Sequence, residues 1–235
     1  MLFAREPRAG RVKTRLQPRL TPGQAAELYT AFLRDCAEAL AASVASLKIV
    51  AVEPPEAESC LRSLLGAPEG LAFEGQPGGP LGERLEALCR RAVGAGCGRV
   101  VLLGSDSPSL TPWSIDESLR RLRSADVVIG PSVDGGYYLI GLRAEALPSA
   151  APAVFQGIEW GTGRVLEQTL AALPGGLRLS LMPPWYDVDV PEEAAFLRVH
   201  LEALARSGDD TTASHSRAAL RGLDLPPPGY RPMMR

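Results

Sequence analysis

Short apolar runs alternate with amphipathic stretches along most of this chain, and that alternation restricts its fold more than any other feature. Residues 47–52 and 99–103 are largely apolar runs of strand length, and a stretch with helical spacing follows each of them. A further helix is predicted from the cap residue Thr21, with Pro22 at its first position, to about Ser43. Strands that alternate with helices in this way form a parallel sheet covered by helices.

One strand of that sheet is predicted to run antiparallel to the others. Residues 126–129 and 137–142 read as strands, and Pro131 with the pair Gly135-Gly136 between them suggests that the chain turns back. We therefore expect an α/β fold, a three-layer αβα sandwich with a mainly parallel sheet. One domain would span residues 1–206. Residues 207–235 are polar and then proline-rich without a helical or strand period, so we expect a tail there.

The composition argues against several classes of protein. The 25 basic and 27 acidic residues nearly cancel, whereas a nucleic-acid-binding protein normally has a basic excess. No apolar run approaches the ~20 residues needed to span a bilayer, and residues 1–20 lack the apolar core of a signal peptide. We expect a cytoplasmic protein without nucleic-acid or membrane partners. The four cysteines contain no CxxC pair and histidines are scarce, so any metal should be a hard cation held by carboxylates.

A basic loop follows the first predicted strand. Gly10 would let backbone N–H groups approach an anion, and Arg11, Lys13 and Arg15 place positive charge at alternating positions. The first strand-to-helix turn of an open α/β sheet commonly holds phosphate. Lys13 is one of only two lysines among the 25 basic residues. The alternative interpretation is a solvated basic surface.

Several acidic residues lie where strands are predicted to end. Asp106 follows a buried strand, in a turn fixed by Gly104 and Pro108, where it could bind a divalent cation that bridges diphosphate oxygens. A turn or helix-capping aspartate is the alternative, although Thr111 can already cap the next helix. Of the alternating pair Asp187 and Asp189, we assign Asp187 to the metal and Asp189 to capping the helix that begins at Pro191.

The segment from Asp134 to Tyr137 also admits two interpretations. Gly135 and Gly136 beside an acidic residue suit a tight turn. They also leave open space in which a substrate could lie against the backbone.

These motifs, taken in order, resemble a bacterial family of glycosyltransferases described as rSAM/selenodomain-associated or arsenosugar-type. The likeness covers about residues 3–200. It is carried by residues 3–7, 10–16, 81–84, 104–108, 134–137, 155–162 and 187–189. The chain departs from the family pattern at Pro80, where the family usually has an aspartate. Its first strand is also short, as though the natural chain began further upstream.

The resemblance implies the glycosyltransferase-A fold of nucleotide-diphospho-sugar transferases. Guanylyltransferases that act on phospholactate and on molybdopterin share this fold. The resemblance also implies that the opening loop binds nucleotide phosphates and that Asp106 binds the metal.

The expected activity is a metal-dependent transfer of a sugar from a nucleotide-diphosphate sugar to a small-molecule acceptor, with Mg²⁺ or Mn²⁺ on Asp106 and Asp187. The alternatives are nucleotidyl transfer from a nucleoside triphosphate to a phosphorylated small molecule, and an inactive nucleotide-binding module. Lys13 and Asp134 are the candidate catalytic residues. The candidate phosphate-binding residues are Arg5, Gly10, Arg11, Lys13, Arg15, Gly82 and Arg84, and the candidate acceptor-binding residues are Gly135, Gly136, Tyr137 and Trp160.

Overall fold

A seven-stranded sheet forms the centre of the protein in a computed structural model, which describes residues 1–66 and 68–228. The strands are β1 Leu2–Arg5, β2 Lys48–Glu53, β3 Leu71–Gly75, β4 Arg99–Leu103, β5 Val127–Pro131, β6 Tyr137–Arg143 and β7 Leu179–Leu181. They lie in the order β3-β2-β1-β4-β6-β5-β7. Strand β6 is antiparallel to β4 and β5, and the other pairs are parallel. The predicted fold class is confirmed.

Eight α-helices of the described residues surround this sheet. They are α1 Pro22–Ala42, α2 Glu58–Leu64, α3 Leu81–Gly94, α4 Pro112–Arg121, α5 Leu147–Phe155, α6 Val165–Ala172, α7 Pro191–Arg206 and α8 Ser214–Ala219. None of the helices in this part of the chain is long and apolar enough to cross a membrane.

Two apolar cores separate the helices into layers. Leu28 of α1, Leu122 after α4 and Leu197 of α7 belong to the core on one face of the sheet. Leu88 of α3 and Val154 of α5 belong to the core on the other face. The strands contribute side chains alternately to both cores, as successive residues of a strand must. The protein is therefore a three-layer αβα sandwich.

Helix α1 begins where the sequence predicts it to begin. The Thr21 hydroxyl accepts a hydrogen bond from the Gln24 backbone N–H at 3.2 Å, and the Gln24 side chain accepts one from the Thr21 N–H at 2.9 Å. This reciprocal pair satisfies two N–H groups that the first helical turn leaves without partners. Thr111 also precedes its helix, but its side chain makes no capping bond.

Helix α5 is absent from the sequence prediction. Its segment contains Pro148 and Pro152, and proline normally argues against a helix interior. Pro148 lies in the first turn, where its missing N–H is tolerated, and Pro152 is exposed. Ala150, Ala151 and Val154 are buried against the sheet. Tertiary packing therefore determines this helix.

The segment after α7 also differs from its expectation as a tail without regular structure. It contains helix α8, which packs on α1, and the side chain of Leu220 is 1% exposed. The buried carboxylate of Asp35 accepts hydrogen bonds from the backbone N–H groups of His215 and Ser216 and from the Ser216 hydroxyl. The lack of helical periodicity over so few residues explains the error. Residues 229–235 of the predicted tail lie outside the described residues.

Candidate functional site

A cleft of about 410 Å³ opens at the carboxyl ends of β1, β2 and β4. Open α/β sheets bind ligands at this edge. Its basic lining residues are Arg5, Arg11, Lys13, Arg15 and Arg84, and its acidic ones are Glu53, Asp106 and Asp189. The cleft thus joins the basic loop after β1 to the turn after β4, as the strand-end argument predicts.

Lys13 is the buried cation of this cleft, with a side chain only 4% exposed. Its Nζ lies 2.5 Å from Asp106 Oδ1 and donates to Asp189 Oδ1 and to the Val188 carbonyl, both at 2.7 Å. Burial alone would lower the pKa of Lys13, but the charges of Asp106 and Asp189 raise it above its ordinary value. The ammonium is therefore charged at neutral pH, so the solvated basic surface is not the environment of this residue.

The backbone of Lys13 is also unusual. Its φ of 47° and ψ of 40° lie in the left-handed region, which residues other than glycine rarely adopt. Lys13 is followed directly by a short 3₁₀ helix, Thr14–Leu16, whose Leu16 is fully buried. The loop is therefore anchored on one side by a buried leucine and on the other by ion pairs.

The other predicted phosphate-binding residues of the loop are more exposed than Lys13. Arg15 lies 3.4 Å from Asp189 Oδ2, and Arg11 lines the cleft from an exposed position. Gly10 lies in the exposed turn before Arg11. The loop thus offers more exposed guanidinium groups around one buried ammonium.

Arg5 and Arg84 meet at the opposite wall of the cleft, around Glu53. Arg5 Nε donates to Glu53 Oε2 at 2.9 Å, and Arg84 Nη1 lies 3.9 Å from Glu53 Oε1. Arg84 also donates to the side-chain carbonyl of Gln76, whose amide in turn donates to the Ala51 carbonyl, at 2.8 and 2.9 Å. This chain of contacts fixes the guanidinium of Arg84 in the cleft.

Asp187 lies beside Asp106, in a carboxylate cluster next to the cleft. The Ser107 and Ser132 hydroxyls donate to its two oxygens, the second at 3.0 Å. Burial raises the pKa of Asp187 to about 7, and the charges of Asp106 and Asp134 contribute in the same direction. A buried carboxyl group surrounded by other carboxylates is a group that a cation would stabilise.

Asp189 does not cap α7, which corrects the sequence interpretation. Its carboxylate pairs with Lys13 and Arg15 instead. Glu193 takes the capping role, because its Oε2 accepts from the backbone N–H groups of Asp189 and Val190 at 2.7 and 3.0 Å. Burial acts to raise the pKa of Asp189, but Lys13 outweighs it and the pKa is lowered.

Asp134 occupies an exposed tight turn between β5 and β6. Its Oδ1 accepts from the Gly136 N–H at 2.9 Å. Gly135 has a φ of +91°, and a Cβ there would lie 2.1 Å from the Gly163 carbonyl oxygen. Only glycine fits this crossing of two backbones, so the turn that carries Asp134 is fixed by the loop before α6.

Gly82, Tyr137 and Trp160 lie together in the packing between α3 and α5. A Cβ at Gly82 would lie 2.0 Å from the Phe155 carbonyl oxygen and 3.0 Å from Trp160 Nε1. The Tyr137 and Trp160 rings meet edge to face at 6.1 Å, and the Tyr137 hydroxyl donates to the Val154 carbonyl. None of these three is among the described residues that line the cleft. Their predicted binding roles, like that of Gly136, stay predictions.

The sequence prediction missed four polar side chains of this edge, namely Glu53, Gln76, Ser107 and Ser132. Glu53 ends β2 and Gln76 follows β3, so the strand-end rule used for Asp106 could have found both. Ser107 lies inside the turn already singled out. Ser132 follows β5, and its link to Asp187 spans 55 positions in sequence, which no local pattern reveals.

The donor set at Asp106 and Asp187 fits a hard divalent cation. Magnesium is usually held by one or two carboxylates, with water and substrate phosphates completing its shell. A tighter group of three ligand residues does occur within residues 1–66 and 68–228, at Asp35, Glu38 and His215, but it does not line the cleft. Asp106, which lines the cleft, and Asp187 next to it offer two carboxylates rather than a closed cage.

Comparison with known proteins places the chain in a bacterial family. The family model described as "Uncharacterized protein conserved in bacteria (DUF2064)" matches residues 28–162. The chain belongs to this family. Comparison with curated proteins finds no match.

Solved structures similar to this DUF2064 protein share its sandwich. A proposed nucleotide-diphospho-sugar transferase from Desulfovibrio desulfuricans G20 is 33% identical, with a TM-score of 0.79, over 96% of this chain and 97% of that chain. A 4-diphosphocytidyl-2C-methyl-D-erythritol synthase from Anaerococcus prevotii DSM 20548 is 8% identical, with a TM-score of 0.58, over 86% and 95% of the two chains. A cytidylyltransferase from Leptospira borgpetersenii is 11% identical, with a TM-score of 0.55, over 95% and 96%. The last two show the fold alone.

Proposed function

We propose that this DUF2064 protein is a metal-dependent glycosyltransferase that moves a sugar from a nucleotide-diphosphate sugar to a small-molecule acceptor. The observation that carries the proposal is the convergence of Lys13, Asp106 and Asp187 at the carboxyl edge of the sheet. The likeness to the Desulfovibrio protein, at 33% identity over nearly the whole chain, supports the same class of substrate. Membership of the arsenosugar-type subgroup is part of the proposal and rests on the sequence motifs.

The basic residues of the cleft would hold the diphosphate. Lys13 provides a buried charge in the loop, and Arg11 and Arg15 provide further charges that line the same cleft. Arg5 and Arg84 stand across the cleft from them. Arginine forks and a compact ammonium complement phosphate oxygens in different ways, so the combination suits a chain of two phosphates.

Asp106 and Asp187 would hold Mg²⁺ or Mn²⁺. When bound, such a cation neutralises the charge that develops on a leaving diphosphate. Ser107 and Ser132 orient Asp187 by donating to its oxygens. Asp134 lies near enough for its charge to raise the pKa of Asp187, and it is the proposed base that takes the proton of the acceptor hydroxyl.

Nucleotidyl transfer is the second candidate, and the fixed charge of Lys13 favours it. A preorganised ammonium stabilises negative charge that develops on a phosphoryl group under attack. The same cleft and the same carboxylates would serve this reaction, but the bond broken would lie within the triphosphate rather than at the sugar.

A product assay separates the two candidates. The protein is incubated with Mn²⁺ and either nucleotide sugars or nucleoside triphosphates, together with a panel of small-molecule acceptors, and the released phosphates are identified. We expect release of a nucleoside diphosphate, whereas pyrophosphate would indicate nucleotidyl transfer. Substituting Asp106→Asn should lower turnover at least about tenfold, because it removes a charge that the metal requires.

Asp116→Asn is the matched control for this substitution. Asp116 accepts a hydrogen bond from the Val44 N–H and does not line the cleft. If the two variants retain equal turnover, the metal assignment is wrong. If the protein releases no phosphate and binds no nucleotide in calorimetry, both transferase proposals are wrong.

A further inference from the structure

A second concave surface, the aromatic groove, lies beside the carboxylate cluster. It has a volume of about 610 Å³, and its walls include Trp185, Tyr186, Phe196 and His200. Glu192 and Glu193 line it as well. The groove is distinct from the cleft that Lys13 lines, because the two share no lining residue in the described part of the chain.

Hydrogen bonds and ring contacts hold the aromatic walls in place. Trp185 Nε1 donates to the Ser109 hydroxyl at 3.2 Å, and the Tyr186 hydroxyl lies 2.7 Å from His200 Nδ1. The Trp185 and Tyr186 rings stack at 5.8 Å. The polar atoms of the Trp185 and Tyr186 side chains are thus hydrogen-bonded within the protein, and the groove presents mainly ring surface.

Phe196 completes the groove from helix α7. Its ring meets that of Tyr186 edge to face at 4.9 Å, yet the residue is 47% exposed. Exposed apolar surface that forms a concave, rigid patch commonly marks a binding site.

The charge of the groove is opposite in sign to that of the cleft. The described residues that line the groove include Glu192 and Glu193 but no lysine or arginine. His200 does not offset them, since burial lowers its pKa and the imidazole is neutral at neutral pH. A phosphate ester would meet the Glu192 carboxylate here and no lysine or arginine among these described residues, while Glu193 Oε2 is engaged in capping α7.

Two chain segments that line the groove also carry carboxylates of the neighbouring cluster. Trp185 and Tyr186 directly precede Asp187. On the opposite side, Val133 lines the groove between Ser132, which donates to Asp187, and Asp134. The segments that carry Asp134 and Asp187 therefore also form part of the wall of the groove.

We propose that the aromatic groove binds the acceptor, and that the acceptor is an uncharged hydroxyl compound with a flat apolar face, such as a sugar ring or an aromatic glycoside. The inference rests on the proposed glycosyl transfer. Ring faces pack against the apolar face of such a molecule, and the carboxylates accept hydrogen bonds from its hydroxyls.

The transfer itself balances without a further reactant. The acceptor hydroxyl oxygen bonds to the anomeric carbon as the bond from that carbon to the diphosphate oxygen breaks. The diphosphate leaves with the electron pair, and the hydroxyl proton passes to the Asp134 carboxylate. An uncharged acceptor favours this reaction over nucleotidyl transfer to a phosphate ester.

Two probes that share one ring test the groove, namely phenyl β-D-glucopyranoside and phenyl phosphate. We expect the glucoside, and not the phosphate, to bind the wild-type protein in saturation-transfer NMR titrations. Phe196→Ala should weaken glucoside binding about fivefold, the effect of one aromatic contact. The control is Val199→Ala, which alters a residue of the same helix that is equally exposed at 47% but does not line the groove.

Reversing a charge tests the second half of the inference. Glu192→Lys should admit phenyl phosphate, because it places a cation in the groove. Equal glucoside affinity of the wild type and Phe196→Ala, or binding of phenyl phosphate by the wild type as tight as that of the glucoside, would overturn the inference. Calorimetry with UDP and GDP in Mn²⁺ is run in parallel. If neither nucleotide binds, the proposed function is contradicted, whereas the glucoside titrations still test the groove.

Discussion

Two polar segments, one near each end of the chain, are fixed to the sandwich by buried charged groups. A buried cation holds the first segment and a buried carboxylate holds the second. Residues 5–16, before α1, bury the ammonium of Lys13 between Asp106 and Asp189. Residues 207–228, after α7, carry α8, whose first backbone N–H groups bind the carboxylate of Asp35. From sequence, one segment could be a solvated basic surface and the other is expected to be a tail.

The two segments differ in whether a ligand can reach the carboxylates that take part in these contacts. Asp106 and Asp189 are 43% and 34% exposed and line an open cleft, so a ligand can reach them. Asp35 is 5% exposed, and its oxygens accept from the Ser216 hydroxyl as well as from the backbone. Burial of a charge therefore does not identify a functional site by itself. The access of solvent to its partners separates a site from an anchor.

Deleting residues 207–235 should have the largest effect on stability. The deletion leaves the Asp35 carboxylate without its donors and removes the buried Leu220, which together contribute roughly 3–5 kcal/mol. We expect the thermal midpoint, measured by circular dichroism, to fall by about 10 °C or more. The exposed-site variant Ser214→Ala is the control and should stay within about 0.5 kcal/mol of the wild type. An unchanged midpoint after the deletion would show that α8 is no anchor.

Substituting Lys13→Ala should affect binding more than folding. The two partly exposed carboxylates can be hydrated once the ammonium is gone, so we expect a loss of unfolding free energy of about 2 kcal/mol. Binding of UDP or GDP with Mn²⁺, measured by calorimetry, should weaken at least tenfold, since a hydrogen bond to a charged group contributes about 1.5–3 kcal/mol.

Lys48→Ala is the natural control for this variant. Lys48 is the other lysine of the chain, and it donates to the Ala41 carbonyl at the far end of β2. Lys13→Arg adds a sharper comparison, because a planar fork keeps the charge but is wider than an ammonium. Equal nucleotide affinity in the wild type and in Lys13→Ala would show that Lys13 stabilises the fold, as α8 does, and does not bind the nucleotide.

The smallest expected effect is a pH dependence of stability caused by Asp35. Burial raises the pKa of Asp35, although donors from Ser216 and His215 act in the opposite direction. The native state therefore binds the carboxyl proton of Asp35 more tightly than the unfolded chain does. Its contribution to stability is fully present below the unfolded pKa of about 4 and is lost as the pH rises through the folded pKa.

Urea unfolding at a series of pH values measures this contribution. Asp35→Asn removes the titrating group, so the stability difference between wild type and variant should change with pH just above 4 and become constant at higher pH. A difference that is constant over the whole series would mean that Asp35 has the same pKa in both states.

The sequence predicts the parts of the fold that follow from local patterns. The capping box at Thr21, the buried run that ends at Leu103 and the glycine turn before Tyr137 are each visible within a few residues. Helix α5 is not visible, because its prolines argue against a helix that tertiary packing nevertheless stabilises. Helix α8 is too short to show a period.

The site is predictable to a similar extent. Strand-end position and residue type predict that Lys13 and Asp106 lie in one cleft, and both line it. They do not assign Asp189, because its contact with Lys13 spans 176 positions and competes with a plausible helix cap. The groove depends on Trp185 meeting side chains of α7, and such contacts follow only from the assembled layers.

The left-handed backbone of Lys13 is held in place by the ion pairs of its own side chain. An ordinary residue in that region is less stable than glycine by about 1 kcal/mol, and here the ion pairs with Asp106 and Asp189 compensate. A ligand that draws either carboxylate away would loosen the hold on residue 13 and let the peptide relax toward the right-handed region. Lys13→Gly, which keeps the geometry without the charge, would separate this mechanical coupling from simple attraction. The ion pairs at the cleft and the backbone conformation of the basic loop therefore meet at one residue, Lys13.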